Sequence, residues 1–324
     1  MRESVTIHYT EKQVCTEQIK EESYSMSPLK PALYIEAIKT HLTKYPNLVR
    51  WNTQIKPFRR RDFFNAHTPK YVENFFDGVN NCTSNGIPWS KELARSVRYT
   101  NSSLYTAINA SVHQPNDIHV SPTSGFHHAR PEGGSGFCTF SGQVIASLKL
   151  YRKHKLKGAY LDLDGHHGNS IEDSRWYVED RYGIDLDEVI PMNINPKGCG
   201  ETYLCDLQRN LFWLEDKIIK GEVDYVVWCH GADSHQDDDL GHQLSTKQWI
   251  EASTRFYQWL NDLEKRLGRK IPLTLSLFGG YRKDDYDSVI NLHLTDLIVG
   301  INHLTNKTIS TKRFKVNAKV ATYV

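Results

Sequence analysis

The chain has 324 residues, of which 39% are hydrophobic and 24% are charged, and its formal net charge is +2 at pH 7. This composition is typical of a folded globular protein and excludes a disordered chain, which would carry fewer apolar residues and more net charge. A net charge so close to zero gives no reason to expect a nucleic acid or a membrane surface as a partner.

Six cysteines are scattered along the chain without a Cys-x-x-Cys pair. This pattern favours reduced thiols in a cytosolic protein over a disulfide scaffold. The first residues lack the apolar core of a signal peptide, and no stretch approaches the roughly 18 apolar residues of a membrane span. We therefore expect a cytoplasmic protein. No feature of the sequence specifies its oligomeric state.

The spacing of apolar residues predicts a series of strands and helices along the chain. In chain order they are a strand at 5–9, a helix at 28–45, a strand at 55–58, a helix capped by Thr68 and begun by Pro69, helices at 92–112 and 144–150, strands at 158–161 and 189–194, a helix at 203–215, a strand at 223–228, a helix at 246–267, a strand at 273–277 and a helix at 289–298. The basic segment 306–324 is predicted to be peripheral.

The most informative stretch is the octet Asp162-Leu163-Asp164-Gly165-His166-His167-Gly168-Asn169, which follows the strand at 158–161. The end of a strand is where α/β proteins hold their functional residues. Side chains alternate along an extended backbone, so Asp162, Asp164 and His166 share one face and could bind a cation. Carboxylate and imidazole ligands suit zinc better than calcium. Taken alone, the octet is equally compatible with a hydrophilic surface turn.

Two loops before the octet also contain unusual residues. Tandem histidines, His127 and His128, follow Gly125, although two surface histidines would give the same pattern. A glycine-rich turn at 133–138 lacks the Gly-Lys-Ser/Thr of a P-loop and the strand and spacing of a dinucleotide-binding motif. We interpret this turn as backbone that must pass close to another group.

The last two predicted strands end in residues suited to a functional site. The strand at 223–228 runs into Gly231-Ala232-Asp233 and then into three consecutive carboxylates at 237–239. Such carboxylates repel one another unless a cation or solvent offsets their charge, which makes them candidate metal ligands. The strand at 273–277 ends in Phe278-Gly279-Gly280-Tyr281, whose glycines would let the Tyr281 hydroxyl turn back over the strand ends.

In this order and local context, the motifs resemble those of the histone deacetylase family, within the arginase/deacetylase superfamily. The resemblance covers roughly 5–297, and its anchors are Gly125-Phe126-His127-His128-Ala129, Ser135-Gly136-Phe137-Cys138, the octet, Gly231-Ala232-Asp233 with Asp238 five residues later, and Gly279-Gly280-Tyr281. It implies a single catalytic domain over 1–324. The implied fold is α/β, with three αβα layers around a mainly parallel central sheet, as in arginases and deacetylases.

The resemblance also implies the cofactors. Zinc would be held by Asp164, His166 and Asp238, with an open position for water and a substrate carbonyl, as a catalytic zinc needs. The family also binds a monovalent cation near the backbone between Asp162 and His166, and potassium is implied on that basis.

Catalytic roles follow from the same resemblance. His128 would be the general base that takes a proton from water and delivers it to the leaving amine, with His127 as its electrostatic partner. Asp162 would orient His127, and Asn169 stands where the family has Asp or Asn beside the second histidine. Tyr281 would donate its hydroxyl to the oxyanion.

The resemblance is weaker where the substrate would bind. Phe137 resembles one wall of the family's acyl-lysine channel, and the backbone of Gly136 would lie beside the substrate. The family's aromatic Pro-Gly-Thr-Gly segment is replaced by the residues 195–200, Asn-Pro-Lys-Gly-Cys-Gly, so the second wall is unassigned. We expect zinc-dependent removal of an acyl group, above all acetyl, from acetyl-lysine, an acetylated polyamine or another small acyl amine, which the sequence does not rank.

Two alternatives stay open at this stage. A binuclear manganese hydrolase of the arginase type needs Asp-x-His-x-Asp at the first cluster, where this chain has Gly168. Asp237 and Asp239, however, keep the spacing of its second cluster. The other alternative is a catalytically silent homologue that binds acylated ligands, although every expected catalytic residue is present.

Overall fold

The computed structural model describes residues 1–17 and 25–311, so most of the predicted peripheral segment 306–324 lies outside the described residues. The described strands are β1 (Ser4–His8), β2 (Val49–Asn52), β3 (Asp117–Ser121), β4 (Gly158–Asp162), β5 (Met192–Ile194), β6 (Tyr225–Cys229) and β7 (Leu273–Ser276). They form one sheet in the order β2-β1-β3-β7-β6-β4-β5, and every neighbouring pair is parallel.

The helices of the described residues connect these strands. They are α1 (Lys30–Leu42), α2 (Arg60–Phe63), α3 (Pro69–Asp77), α4 (Lys91–His113), α5 (Gly142–His154), α6 (Ser170–Tyr182), α7 (Leu186–Val189), α8 (Gly200–Ile219), α9 (Thr246–Leu267) and α10 (Tyr286–Leu304). Among them, no helix is long and apolar enough to cross a membrane.

Two apolar clusters pack on opposite faces of the sheet. Along β4, Ala159 and Leu161 belong to one cluster and Tyr160 belongs to the other, because successive side chains of a strand face opposite sides. Helices α1, α8, α9 and α10 supply side chains to the first cluster, and α2 to α7 supply the second. The structure is therefore a three-layer αβα fold, as expected, and its described sheet is wholly parallel.

Most of the predicted elements agree with the structure. Helix α9 has the predicted bounds, and Thr68 caps α3 by accepting a hydrogen bond from the Tyr71 amide. The predicted strand at 55–58 is wrong, because the edge strand at this point is β2, whose largely exposed side chains form no apolar pattern. Of the predicted strand at 189–194, only the last three residues form β5.

Strand β3 and helix α6 are among the elements that have no counterpart in the prediction. Strand β3 contains buried polar side chains, of which Asp117 accepts a hydrogen bond from Ser4 and His119 contacts His8, so its polarity is satisfied within the sheet. Helix α6 lies in what the sequence suggests to be a polar connection after the octet. Both make contacts with partners that are distant in sequence, since in α6 the Tyr177 hydroxyl donates to the His67 carbonyl at 2.5 Å.

The segment that precedes β1 is tied to α9 by a buried ion pair. The Arg2 guanidinium donates to the Glu264 carboxylate at 2.5 Å and to the Ile271 carbonyl at 2.7 Å. Without Arg2, the buried Glu264 carboxylate would keep only the Lys270 ammonium and the Ile271 amide as partners, which is unfavourable in the core. We expect Arg2→Met to lower the free energy of unfolding by about 3 kcal/mol, measured by urea denaturation.

Arg50→Met is the matched control. Arg50 also pairs with carboxylates, but its side chain is 57% exposed, and an exposed pair contributes less than ~1 kcal/mol. Equal destabilisation by the two substitutions would contradict the role assigned to the Arg2 pair.

Candidate active site

Five neighbouring strands bring their carboxyl ends to one edge of the sheet. Because β3, β7, β6, β4 and β5 are parallel and adjacent, the loops that follow them meet in space. These loops carry His127 and His128 after β3, Asp164 and His166 after β4, Asp233 after β6, and Tyr281 after β7. The residues that meet at this edge therefore come from segments that are far apart in sequence.

Two carboxylates and an imidazole converge at this edge. His166 Nδ1 lies 3.1 Å from Asp164 Oδ1 and 3.0 Å from Asp233 Oδ2. The three residues could hold a metal ion, since one ligand atom of each lies within 4.8 Å of the others. Asp233 Oδ1 is buried without a hydrogen-bond partner among the described residues. An unpaired carboxylate oxygen in the interior is what a cation would satisfy.

The third member of this cluster differs from the prediction. Asp238 accepts hydrogen bonds from the backbone amides of Tyr281 at 2.7 Å and Leu240 at 3.0 Å, and it is not one of the three clustered residues. A short 3₁₀ turn at 232–234 starts just after β6 and keeps Asp233 at the strand end. The Gly-Ala-Asp motif was the available signal, because Asp233 lies within four residues of the end of β6, nearer to it than Asp238.

Glycines let the neighbouring backbones approach the cluster. A Cβ atom on Gly279 would lie 2.4 Å from Asp233 Oδ2, and one on Gly231 would lie 2.8 Å from the Cα of Asp164. The Gly279 amide donates to Asp164 Oδ2 at 2.8 Å. The loop after β7 can therefore reach the carboxylates only with glycine at this position.

The two histidines of the β3 loop have different partners and different charges. His127 Nδ1 lies 2.9 Å from Asp162 Oδ2, and His128 Nδ1 lies 2.8 Å from Asn169 Oδ1. Burial alone would lower the pKa of His127, but the carboxylates of Asp164 and Asp162 outweigh it and raise that pKa to about 9. Burial and the charge of His127 lower the pKa of His128 to about 4. At neutral pH His127 is cationic and His128 is neutral.

Tyr281 and the glycine-rich turn lie on the outer side of the cluster. The Tyr281 ring centroid is 5.5 Å from that of Phe137 and 6.2 Å from that of His166. Burial raises the pKa of Tyr281 well above its usual value, so its hydroxyl stays a donor. Gly136 has a φ of +49°, and a Cβ atom there would lie 2.6 Å from the His128 ring. The predicted close approach of this backbone thus involves His128.

Lys30 also belongs to this region, although it is part of no predicted motif. Its side chain is fully buried, and Nζ donates to the Phe278 carbonyl at 2.5 Å and lies 5.9 Å from the Tyr281 ring centroid. Burial lowers the pKa of Lys30 to about 8, although nearby carboxylates, chiefly Asp233, oppose this shift. The available signal was a lysine on the apolar face of the predicted helix at 28–45.

A polar residue follows β5, where the sequence left the second channel wall unassigned. Asn195 Oδ1 accepts a hydrogen bond from the Gly168 amide at 2.7 Å. Asn195 and Lys197 line a cavity of about 430 Å³ together with Asp164 and His166. This side of the cluster is therefore polar.

Comparisons with known proteins agree with this arrangement. The model of the histone deacetylase domain family matches residues 25–201, more than half of the chain. The chain belongs to the histone deacetylase family. The match supports hydrolase activity of the deacetylase type. The HDA15 HD domain, a crystal structure, has the same fold as this deacetylase-family chain, with a TM-score of 0.65 and 15% identity over 95% of this chain and 91% of that domain.

The sequence relatives align with different fractions of this chain. An uncharacterized protein of Picosynechococcus sp. is 26% identical over 244 residues, which cover 69% of this chain and 76% of the relative. Histone deacetylase B of Dictyostelium discoideum is 35% identical over 171 residues, 44% of this chain and 38% of the relative. Histone deacetylase 1 of Homo sapiens is 37% identical over 82 residues, 25% of this chain and 16% of the relative. The two named deacetylases are thus matched over well under half of their lengths.

The geometry of the cluster predicts which carboxylate binds metal. We expect Asp233→Asn to weaken zinc binding by more than ~100-fold and the matched Asp238→Asn to weaken it by about tenfold at most, because only Asp233 faces His166. Competition with a chromophoric chelator measures both affinities. The reverse order would restore Asp238 as the third ligand.

Metal binding is also expected to depend on pH. Hydrogen bonds to Asp164 and Asp233 raise the pKa of His166 to about 10, and burial raises the pKa of Asp233. Protons held by these groups at neutral pH must leave before a cation can take their place, so affinity should increase with rising pH between about 6 and 8. Calorimetry in two buffers of different ionisation enthalpy measures the protons released. Binding that releases none would contradict this prediction.

Proposed function

We propose that the protein is a zinc-dependent deacetylase that hydrolyses an N-acyl amide, above all an N-acetyl amide. The observation that carries this proposal is the meeting of a two-carboxylate, one-imidazole cluster with a neutral histidine and a protonated tyrosine at one edge of the sheet. Family membership supports the same class of reaction.

The donor set fits zinc. Asp164, His166 and Asp233 would hold the ion, since imidazole and carboxylate are common zinc ligands and catalytic zinc sites use three protein ligands. The unpartnered Asp233 Oδ1 supports this fit. Zinc bound here would supply a Lewis acid that polarises the amide carbonyl and acidifies a water molecule.

His128 is the proposed general base. It is neutral at pH 7, and its Nδ1 is engaged by Asn169, which leaves Nε2 to accept a proton from water and then to return it to the leaving amine. His127 is held by Asp162, which favours its cationic form, so its proposed role is electrostatic. It favours the negative charge that develops on the carbonyl oxygen, and it discourages protonation of His128 before water is deprotonated.

Tyr281 is the proposed oxyanion donor. Its hydroxyl remains protonated because it is buried, and its backbone amide is fixed by Asp238. A donor held in place before the reaction stabilises a developing oxyanion without reorganisation. Lys30 supports the same loop through the Phe278 carbonyl, and Phe137 and Gly136 would border the acyl chain.

The proposed substrates are acetyl-lysine, acetylated polyamines and other small acyl amines. A potassium site near the backbone between Asp162 and His166 is also proposed. It is supported by the buried Tyr203 hydroxyl, which lacks a hydrogen-bond partner among the described residues and lines one cavity with Asp162 and His166. Oxygen atoms with this environment suit a hard cation.

The geometry favours one metal over a binuclear manganese site. A side chain at Gly168 would begin 2.1 Å from Asp162 Oδ2, so that position cannot offer a bridging carboxylate. Asp237 faces Arg282 at 3.5 Å, and Asp239 accepts from the Lys283 amide, so neither is one of the clustered residues. Two manganese ions per chain would overturn this choice.

Removal of the Tyr281 hydroxyl tests the proposed mechanism. We expect Tyr281→Phe to lower kcat by ~100-fold to 1000-fold without loss of zinc, because an oxyanion donor acts mainly in the transition state. The assay follows hydrolysis of a fluorogenic acetyl-lysine peptide and of acetylputrescine, with zinc content determined on the same preparation.

Tyr286→Phe is the matched control, because it removes another buried hydroxyl that has no hydrogen-bond partner in the described part of the chain. This variant should keep the wild-type kcat. Zinc binding without turnover of either substrate would favour the silent acyl-ligand-binding homologue, and a preparation that binds no metal would refute the proposed function.

A further inference from the structure

The side-chain amide of Asn169 joins His128 to Asp173, a residue that belongs to none of the sequence motifs. Asn169 precedes α6, and its Oδ1 lies 2.8 Å from His128 Nδ1. At its other end, Nδ2 donates to Asp173 Oδ2 at 2.5 Å, one helical turn along the chain. The side chains of His128, Asn169 and Asp173 therefore form a row that runs from the cluster toward solvent.

The chemistry of this row fixes the direction of each hydrogen bond. A carboxylate only accepts, so the Asn169 end that faces Asp173 must be the NH₂ group. The end that faces His128 is then the carbonyl oxygen, which also only accepts. His128 must consequently carry its proton on Nδ1, and its Nε2 keeps the lone pair that a general base needs.

Without an acceptor at position 173, the Asn169 amide could turn over. Its NH₂ group would then face His128 Nδ1, and the histidine proton would have to move to Nε2. Such a tautomer cannot accept a proton at the ring nitrogen that faces the cleft. If Asp173 only stabilised the N-terminal end of α6 through its negative charge, it would not need a hydrogen bond to Asn169.

The other contacts of Asp173 leave this role available. Arg130 Nε lies 3.9 Å from the Asp173 carboxylate, and both side chains are substantially exposed, at 61% and 40%. A pair with this exposure is weak. The shorter contact to Asn169 is the one that restricts the orientation of the carboxylate.

We propose that Asp173 is a positioning residue, which sets the orientation of the Asn169 amide and thereby the tautomer of His128. The catalytic consequence rests on the proposed function, whereas the tautomer itself is a property of the metal-free chain.

Nitrogen-15 NMR of histidine side chains tests the tautomer directly. In the wild-type chain without metal, His128 should be protonated at Nδ1 and unprotonated at Nε2, with its signals assigned by their loss in His128→Ala. In Asp173→Leu, a second tautomer protonated at Nε2 should appear. Asp173→Asn provides a second variant, because an amide at 173 can face Asn169 with either end and should also give a mixture.

Exchanging the amide and the carboxylate between positions 169 and 173 should restore the single tautomer of His128. In the double variant Asn169→Asp with Asp173→Asn, the carboxylate beside His128 accepts from both Nδ1 and the new amide, so a single tautomer protonated at Nδ1 should return. Glu172→Gln is the control, since Glu172 lies in the same turn but pairs with His167. It should leave the His128 signals unchanged.

The kinetic readout separates positioning from folding. We expect Asp173→Leu to lower kcat by about tenfold or more, below the ~10⁴-fold ceiling known for a wrong histidine tautomer, with KM and zinc affinity unchanged. A wild-type tautomer in both Asp173 variants would overturn the inference. A changed tautomer in a chain whose wild type hydrolyses neither substrate would support the inference and count against the proposed function.

Discussion

Repulsion among buried carboxylates is the constraint on which the site depends. Asp162, Asp164 and Asp233 are 2%, 7% and 0% exposed, and they come from the ends of two adjacent strands. Negative charges that are close together and buried away from water are unfavourable unless positive charges or hydrogen-bond donors lie beside them. In the metal-free chain His127 and His166 supply compensation from one side, and the buried ammonium of Lys30 supplies it from another.

The repulsion among these carboxylates bears on both the backbone and the histidines of the site. It accounts for the Gly279 amide that donates to Asp164. Glycine at 231 and 279 has a steric reason beside it, since a side chain at either position would collide with the carboxylates. The repulsion also accounts for the contrast between the two histidines, because the carboxylates raise the pKa of His127, whereas burial and the charge of His127 lower the pKa of His128. Asp238 helps in a different way, since it fixes the backbone of the Tyr281 loop and has no part in the cluster.

The sequence indicates those parts of the protein that depend on local pattern. Strand β6 is an apolar run, and α9 has a serine cap and regular apolar spacing, so both are recognisable without their neighbours. Strand β3 is not, because its polar residues are satisfied by β1 across the sheet.

The same distinction applies to the site. The octet and the tandem histidines are contiguous motifs, whereas the choice between Asp233 and Asp238 depends on how the chain turns after β6. Lys30 and Asp173 depend on contacts that spacing does not encode. The contact of Lys30 with the Phe278 carbonyl joins residues 248 positions apart.

The large sequence separation of these contacts has a consequence for the order in which the site assembles during synthesis. The carboxylates after β4 and β6 are synthesised well before β7, so for part of translation they lack the Gly279 amide and the loop that Lys30 supports. Contacts between such distant segments form late, because long chain loops must close first. A ribosome-bound chain that ends before β7 therefore contains every clustered ligand, yet it cannot complete the pocket around them.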